Sequence, residues 1–229
     1  MELREVMRTT AAIRSFSTEE VEDARLERIL ETARFAPSGG NRQPWRVVVV
    51  KEPSLRSALA ECYQVAWREY TAHLAHGLVP FAPDATGRWE GPAIDLEAAR
   101  RKEAPNQFAD NLASVPVMLV LFAHLPSLAV LDNGLGRQSI VGGGSIYPFS
   151  HNVLLAARDE GLGGVMTTVI CREERRVKEL LRSGPELALA GLLALGVPVR
   201  QPKRLSRKQV AEFTTIDRLD GPAFGSLGG

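Results

Sequence analysis

Apolar residues recur with a helical period in some segments and form short continuous runs in others. Residues 26–33 carry apolar side chains at i, i+3, i+4 and i+7, which predicts an amphipathic helix. We expect it to begin at Ser17 as its N-cap, with Glu20 completing a capping box, and to end before Pro37. The same period predicts further helices over residues 2–10, 53–76, 108–115, 145–158 and 173–182.

Four runs rich in β-branched and other apolar residues predict buried strands at residues 45–50, 117–122, 165–170 and 187–197. Residues 81–103 follow neither period, because Pro83, Gly87 and Pro92 interrupt them and charges cluster at their end. We interpret this insertion as a mobile surface segment with few buried contacts, of the kind that often forms a lid. Without a linker or an internal repeat, residues 1–229 are predicted to form one mixed α/β domain.

Composition and charge exclude several classes of protein. Apolar residues make up 45% of the chain and charged residues 24%, with 28 Lys and Arg against 27 Asp and Glu. This balance lacks the basic surplus typical of nucleic-acid binders. The longest apolar run, residues 115–123, is about half of the ~20 residues that a membrane helix needs. Two cysteines and a polar N-terminus favour a cytoplasmic protein that binds neither membranes nor nucleic acid.

Several familiar motifs for binding or catalysis are missing. The glycines of residues 161–164 do not form a dinucleotide fingerprint, because Met166 stands where the third glycine belongs, so close packing is the better interpretation. His73 and His76 have a spacing that some metal ligands share, but no cysteine or carboxylate accompanies them at ligand spacing. No metal site is predicted. Cys62 and Cys171 stand among apolar residues and are interpreted as inert core thiols.

The positive evidence comes from residues 8–16, 36–45 and 200–208. The first segment carries Arg8 and Arg14, the second combines small, hydroxyl and amide residues, and the third is a basic cluster. Each alone has an ordinary explanation: a surface charge, a helix-to-strand connection, or a solvated basic face. Together they suit an anionic, planar ligand, because arginines bind phosphate with paired hydrogen bonds and small loop residues let backbone amides approach a flat ring. Asn41 or Gln43 can bind the polar edge of such a ring.

In this combination the sequence resembles the FMN-dependent nitroreductase superfamily. The most specific match is residues 36–45, A-P-S-G-G-N-R-Q-P-W. Residues 14–16 match more weakly. The predicted helix 145–158 with the E-G-L-G and V-M-T-T sequences after it, and the basic residues 198–207, match later parts of the family pattern. The resemblance covers nearly the whole chain except the insertion.

The resemblance implies an α+β fold with a central, mainly antiparallel sheet flanked by helices, in an intertwined homodimer with two FMN sites at the interface. Its phosphate or ribityl contacts would come from Arg14 and Arg207, with Arg204 as a neighbour. Loop residues of the partner subunit would border the flavin ring, and carried over by position these are Pro37, Ser38, Gly39 and Asn41. Near the reactive edge of the ring, the resemblance places Ser145, Thr167 and Thr168.

One departure from the family pattern concerns the phosphate. Family members usually carry an arginine in the run before Arg14, where this chain has Thr10, Ala11 and Ala12. One phosphate-binding guanidinium is therefore missing, although other cations lie nearby in the sequence.

The resemblance implies a reaction in which hydride passes from NADH or NADPH through FMN to a small-molecule acceptor, such as a nitroaromatic or a quinone. Phe81, Trp89 and Phe108 are candidates for the acceptor pocket, with core packing an equal alternative for each. A catalytically weak flavin- or nucleotide-binding homologue is the competing hypothesis. A deazaflavin in place of FMN or of the nicotinamide donor also remains open.

Overall fold

A computed structural model describes residues 1–91 and 94–225. The described residues form seven α-helices and four strands. The helices are α1 (Leu3–Thr9), α2 (Asp23–Ala33), α3 (Pro53–Ala75), α4 (Leu96–Arg100), α5 (Gln107–Asp110), α6 (Tyr147–Asp159) and α7 (Glu174–Leu180). The strands are β1 (Trp45–Val49), β2 (Val117–His124), β3 (Gly163–Thr167) and β4 (Leu187–Gly196). Short 3-10 turns connect them, among them Gly39–Asn41, Val141–Ser145 and Val169–Glu173.

The strands form one sheet in the order β1-β2-β4-β3, and every neighbouring pair is antiparallel. This confirms the expected α+β fold with an antiparallel central sheet. The two central strands, β2 and β4, are buried along almost their whole length. Both of their faces are covered by helices, which explains why their sequences read as continuous apolar runs instead of alternating ones.

Each face of the sheet has its own hydrophobic core, because successive strand residues point to opposite sides. On one face, Met118 and Phe122 of β2 belong to the cluster that includes Leu59 of α3. On the other face, Leu119 of β2 packs in the cluster that includes Ile29 of α2 and residues of α6. The helices α3 and α6 therefore lie on opposite sides of the sheet.

The start of α2 differs from the prediction. The helix begins at Asp23, with Glu22 as its N-cap, and Ser17 does not cap it. Instead the backbone N–H of Ser17 donates to the carbonyl of Val197 at 2.8 Å, and the N–H of Ile13 donates to Gly164 at 2.9 Å. The segment before α2 is therefore held in extended form against the ends of the sheet, and this long-range pairing overrides the local capping signal.

The third strand, Gly163–Thr167, both begins and ends earlier in the chain than the predicted residues 165–170. It ends at Thr167, because the Thr168 carbonyl accepts a hydrogen bond from the N–H of Cys171 at 2.9 Å and the chain turns there. Residues 168–170 therefore belong to a turn and not to the sheet.

The insertion is better anchored than the sequence indicated. Residues 82–88 are exposed, as expected, but Ala99 of α4 is buried and Phe81 lies against His73 of α3 with ring centroids 4.8 Å apart. The insertion is therefore packed against the rest of the fold at Ala99 and Phe81, whereas residues 82–88 stay exposed. Pro92, named as one of the breakers, lies outside the described residues. In the part of the chain described, no helix is long and apolar enough to cross a membrane.

Candidate functional site

Residues 36–45, here called the ring loop, contact Ser145 although the two are about a hundred positions apart. The backbone N–H of Gly39 donates to Ser145 Oγ at 3.0 Å. Ser145 is buried, 5% exposed, in the turn that precedes α6. Gly39 has little room for a side chain, because an added Cβ would lie 2.9 Å from the Cβ of Ala129. Two of the predicted segments thus come together within a single chain.

The ring loop has a tightly determined backbone. Asn41 and Gln43 have φ angles of 53° and 47°, in the left-handed region that non-glycine residues rarely adopt. The N–H of Gln43 donates to Ser38 Oγ at 3.0 Å, and Gln43 Nε2 donates to Asn41 Oδ1 at 3.2 Å. Internal hydrogen bonds therefore hold the loop in shape, while Pro37 and Asn41 remain exposed at its surface.

Four cations gather in a second region, here called the basic cleft. Its lining residues enclose about 650 Å³ and are Met7, Arg8, Lys203, Arg204, Leu205 and Arg207. Among the ion pairs of the described residues, none involves any of these cations. The lining contains no acidic residue, so within the described part of the chain the positive charge of the cleft has no ion-pair partner. A phosphate is the kind of group that such a cleft binds, because each guanidinium can offer it paired, charge-assisted donors.

Next to the basic cleft, Gln201 fastens the tail to the N-terminal segment. Its Nε2 donates to the carbonyl of Thr9 at 2.6 Å, while its Oε1 is buried without a hydrogen-bond partner among the described residues. An acceptor in this position is open to a donor from a ligand such as a ribityl hydroxyl. The residues present therefore fit the phosphate end of FMN.

Arg14 does not line the basic cleft with Arg204 and Arg207. It lines a separate cleft of about 320 Å³ together with Phe16, Phe108 and other residues. Of the two arginines in the N-terminal segment, Arg8 lines the basic cleft together with residues of the basic tail, and Arg14 does not.

Arg14 does, however, share its surroundings with Thr167. Burial raises the pKa of Tyr63, while a hydrogen bond from Thr167 and the charge of Arg14 act in the opposite direction. Arg14 and Thr167 therefore act on the pKa of the same buried hydroxyl. Thr168, the next predicted contact, is exposed at the end of β3.

The glycines of residues 161–164 serve packing, as the sequence indicated. A Cβ on Gly163 would lie 2.7 Å from Cγ1 of Ile13, and one on Gly164 would lie 2.4 Å from Cδ2 of Leu195. The extended N-terminal segment can approach β3 this closely only because side chains are absent there.

The aromatic candidates of the acceptor pocket divide into two groups. Phe108 is buried in the core, edge-on to Tyr63 at a centroid distance of 5.7 Å. Phe81 and Trp89 are half-buried and pack edge-on against each other at 5.2 Å. Phe108 is therefore a core residue, whereas Phe81 and Trp89 of the insertion form a separate aromatic cluster against α3.

Glu69 is a notable residue that the sequence reasoning missed. It is 0% exposed in the middle of α3, and its carboxylate accepts hydrogen bonds from Arg100 and Arg172. Burial alone would raise the pKa of Glu69, but the hydrogen bonds and charges of the two arginines outweigh it and lower the pKa. The sequence did contain a signal for this residue: Glu69 has helical spacing from Ala66 and His73, so the pattern places an acid on the buried face of the helix.

Neither thiol is suited to nucleophilic chemistry at neutral pH. Burial raises the pKa of Cys62 to about 11 and that of Cys171 to about 12. His73 and His76 each bond through Nδ1 to the carbonyl four residues earlier in the helix, at 2.7 and 2.8 Å. The described residues contain no group of three or more His, Cys, Asp or Glu side chains that could hold a metal ion.

Comparison with known proteins gives consistent matches. The sequence model of the nitroreductase family matches residues 7–197. A 5,6-dimethylbenzimidazole synthase of Rhodobacter capsulatus is 28% identical over 198 residues, covering 86% of this chain and 83% of the relative. An NADH dehydrogenase of Thermus thermophilus is 27% identical over 190 residues, covering 83% of each chain. The crystal structure of oxidized iodotyrosine deiodinase bound to FMN and 3-iodo-L-tyrosine has the same fold, with a TM-score of 0.63, 23% identity, and coverage of 91% of this chain and 96% of that one.

Proposed function

Because the chain belongs to the nitroreductase family, whose members are flavin oxidoreductases, we propose that it is an FMN-dependent oxidoreductase that acts as a homodimer. FMN, when bound, supplies hydride transfer from NADH or NADPH, through flavin N5, to a small organic acceptor such as a nitroaromatic or a quinone. The protein residues bind and orient the flavin and exclude water, which requires no acid–base pair.

The observation that carries this proposal is the uncompensated charge of the basic cleft. Arg204 and Arg207 bind the phosphate, and Arg8 supplies the cation that the sequence lacks at Ala11. We propose that Arg14, which lines the separate cleft, contacts the ribityl chain or the phosphate. The phosphate end of the site is thus built from the N-terminal segment and the basic tail.

The ring end of the site comes from the ring loop and the turns beside the sheet. Ser145 holds the Gly39 N–H and thereby fixes the loop. We propose that Pro37, Ser38, Gly39 and Asn41 of one protomer border the ring bound by the other. Ser145, Thr167 and Thr168 lie near the reactive edge of the ring.

Exposed apolar side chains support a homodimer. Leu131 is 87% exposed, and Ile140, directly before the turn that carries Ser145, is 69% exposed. In the C-terminal tail, Phe213 and Leu219 are exposed as well. Apolar surface of this kind is typical of a protein interface. We propose that residues 1–229 form one cytoplasmic domain that dimerises through these surfaces, with residues 81–103 as a lid.

The relatives support a flavin reaction more firmly than a particular donor or acceptor. One is named an NADH dehydrogenase, another a 5,6-dimethylbenzimidazole synthase, and the deiodinase structure holds FMN with an iodinated tyrosine. Oxidation of a reduced nicotinamide is therefore the part of the proposal that needs the most direct test.

The test begins with the visible spectrum of the purified protein and identification of the cofactor released by denaturation. We expect flavin absorption bands, FMN as the released compound, and bleaching of those bands by NADH or NADPH without oxygen. Reoxidation by a nitroaromatic or a quinone completes the cycle. Bound FMN that neither nucleotide reduces would favour a binding homologue or another flavin reaction. A protein that holds no flavin and takes up no added FMN would contradict the proposal.

A further inference from the structure

One buried carboxylate joins three elements of the fold. Oε1 of Glu69, on α3, accepts a hydrogen bond from Nε of Arg100 at 2.7 Å, and Oε2 accepts one from Nε of Arg172 at 2.8 Å. Arg100 belongs to α4 in the insertion, whereas Arg172 belongs to the turn Val169–Glu173 after β3. Arg100 also reaches Oε1 of Glu173 in that turn at 2.8 Å. The insertion and the turn are therefore linked both directly and through Glu69.

Arg172 also supports the other described part of the insertion. Its guanidinium carbon lies 4.9 Å from the ring centroid of Trp89 and 5.7 Å from that of Phe81. The Phe81 ring packs against His73, which bonds through Nδ1 to the Glu69 carbonyl. Both described parts of the insertion, residues 81–91 and 94–103, are thus held by contacts that involve Glu69 or Arg172.

The turn held by Arg172 starts at the proposed ring contacts. Thr167 ends β3, and the Thr168 carbonyl accepts the N–H of Cys171 at 2.9 Å. A single hydrogen-bonded turn therefore separates Arg172 from Thr168.

The two arginines are positioned to be released into water, while Glu69 is not. The side chains of Arg100 and Arg172 keep 30% and 34% of their surface exposed, against 0% for Glu69. Removal of the negative charge from this position lets the Arg172 guanidinium hydrate, because it already faces solvent, and leaves Arg100 with Glu173 as its acidic partner. The apolar residues around Glu69 on α3 can remain packed.

We propose that Glu69 is a positioning residue for the acceptor site, which holds the insertion and the Thr168–Arg172 turn in place as one unit. Opening of the insertion and movement of the turn beside the reactive edge of the flavin are then a single event. The importance of Thr168 in this inference rests on the proposed function, whereas the coupling between the insertion and the turn does not.

The variant Glu69→Gln tests this, because it keeps the side-chain volume and removes the charge. In the full-length protein with its bound flavin, we expect hydrogen exchange to become at least about tenfold faster, equal to ~1.4 kcal/mol, both in residues 81–91 and 94–103 and in residues 168–173. Exchange in β2 should be unchanged. The KM for the acceptor should rise severalfold, while FMN content and the rate of flavin reduction by NADH stay the same.

Glu61→Gln is the matched control, since Glu61 is an exposed acid on the same helix. Two further variants, Arg100→Gln and Arg172→Gln, each remove one of the hydrogen bonds to Glu69. They also replace Glu69→Gln as the test if that variant folds poorly. Arg100→Gln should speed exchange mainly in residues 94–103, and Arg172→Gln in residues 81–91 and 168–173.

The outcomes separate the two proposals. Faster exchange in the insertion without any change in residues 168–173 would overturn the coupling, and so would faster exchange that extends through β2. Joint acceleration in the two segments of a protein that turns over no acceptor would support the coupling and count against the proposed function. An unchanged acceptor KM despite joint acceleration would overturn the role of Glu69 in positioning the acceptor site.

Discussion

The ring loop and the basic cleft are the two ends of the proposed flavin site, and they are built in opposite ways. In the ring loop, polar groups find partners within the chain, as when Gly39 donates to Ser145 and Gln43 donates to Ser38. In the basic cleft, the four lining cations include Arg204 and Arg207, and none of them forms an ion pair with any acid in the described residues.

This difference indicates which property each end controls. A loop whose hydrogen bonds are already made is preorganised, so substitutions there should be felt mainly in the stability of the free protein. Cations that repel one another and form no ion pair among the described residues are relieved by a bound anion, so substitutions there should mainly change ligand affinity. The four predictions below test this division.

The largest effect is expected from removing Arg204 and Arg207 together by substitution with alanine. Each charge-assisted hydrogen bond contributes roughly 1.5–3 kcal/mol, so FMN affinity should fall by at least about a hundredfold at ~1.4 kcal/mol per tenfold. Riboflavin, which lacks the phosphate, should bind nearly as before. Fluorescence titration of the flavin-free protein measures both affinities, and the unfolding free energy should change little.

The control for this pair is Lys208→Ala with Arg218→Ala, which removes the same charge from exposed tail positions outside the cleft lining. Equal losses of FMN and riboflavin affinity in the cleft variant would show that these arginines do not bind the phosphate.

A smaller effect on affinity is expected from Arg14→Ala, because Arg14 lies in the separate cleft. The loss of one charge-assisted contact of roughly 1.5–3 kcal/mol should weaken FMN binding by about ten- to a hundredfold. The same titration with FMN and riboflavin measures it, with Arg4→Ala, an exposed change in α1, as the control. An unchanged FMN affinity would remove Arg14 from the site and leave Arg8 as the N-terminal contact.

Ser145→Ala should act on stability. The substitution leaves the Gly39 N–H without its acceptor, at a cost of about 1–3 kcal/mol in the free energy of unfolding. For a domain of this size, each ~1 kcal/mol corresponds to roughly 2–4 °C in Tm. Denaturant unfolding of the flavin-free protein measures the change, and Ser206→Ala on the exposed tail is the control. A loss of FMN affinity without any loss of stability would contradict the division between the two ends.

The smallest effect is expected from Gln43→Gly. Glycine relieves the unfavourable φ of 47°, but it increases the freedom of the unfolded chain and removes the exposed hydrogen bond from Gln43 Nε2 to Asn41. The gain and the losses are small and opposed, so the free energy of unfolding should change by less than about 1 kcal/mol. Gln43→Val provides the contrast, because a β-branched residue is a poor fit to a positive φ and should destabilise the protein measurably. Equal stability of both variants would show that the loop backbone rearranges freely.

The parts of the structure that the sequence predicted well are those with a local pattern. The helix α3 begins at Pro53, as its position near the first turn indicated, and the buried strands β2 and β4 follow their apolar runs. The antiparallel sheet followed from the resemblance to a family and not from these patterns. The residues of the ring loop were likewise recognised from their order in the chain.

The sequence by itself determined where helices and strands form, which glycines allow close packing and which segments carry the candidate chemistry. These properties depend on residues within a few positions of one another, so they leave a readable period or motif. The tertiary structure alone decided that Ser17 pairs with the sheet instead of capping α2, that Arg8 and not Arg14 joins Arg204, and that Glu69 is buried between two arginines. Each of these outcomes joins groups 30 to nearly 200 positions apart, and contacts between distant segments follow from how helices and strands pack, which no local pattern records.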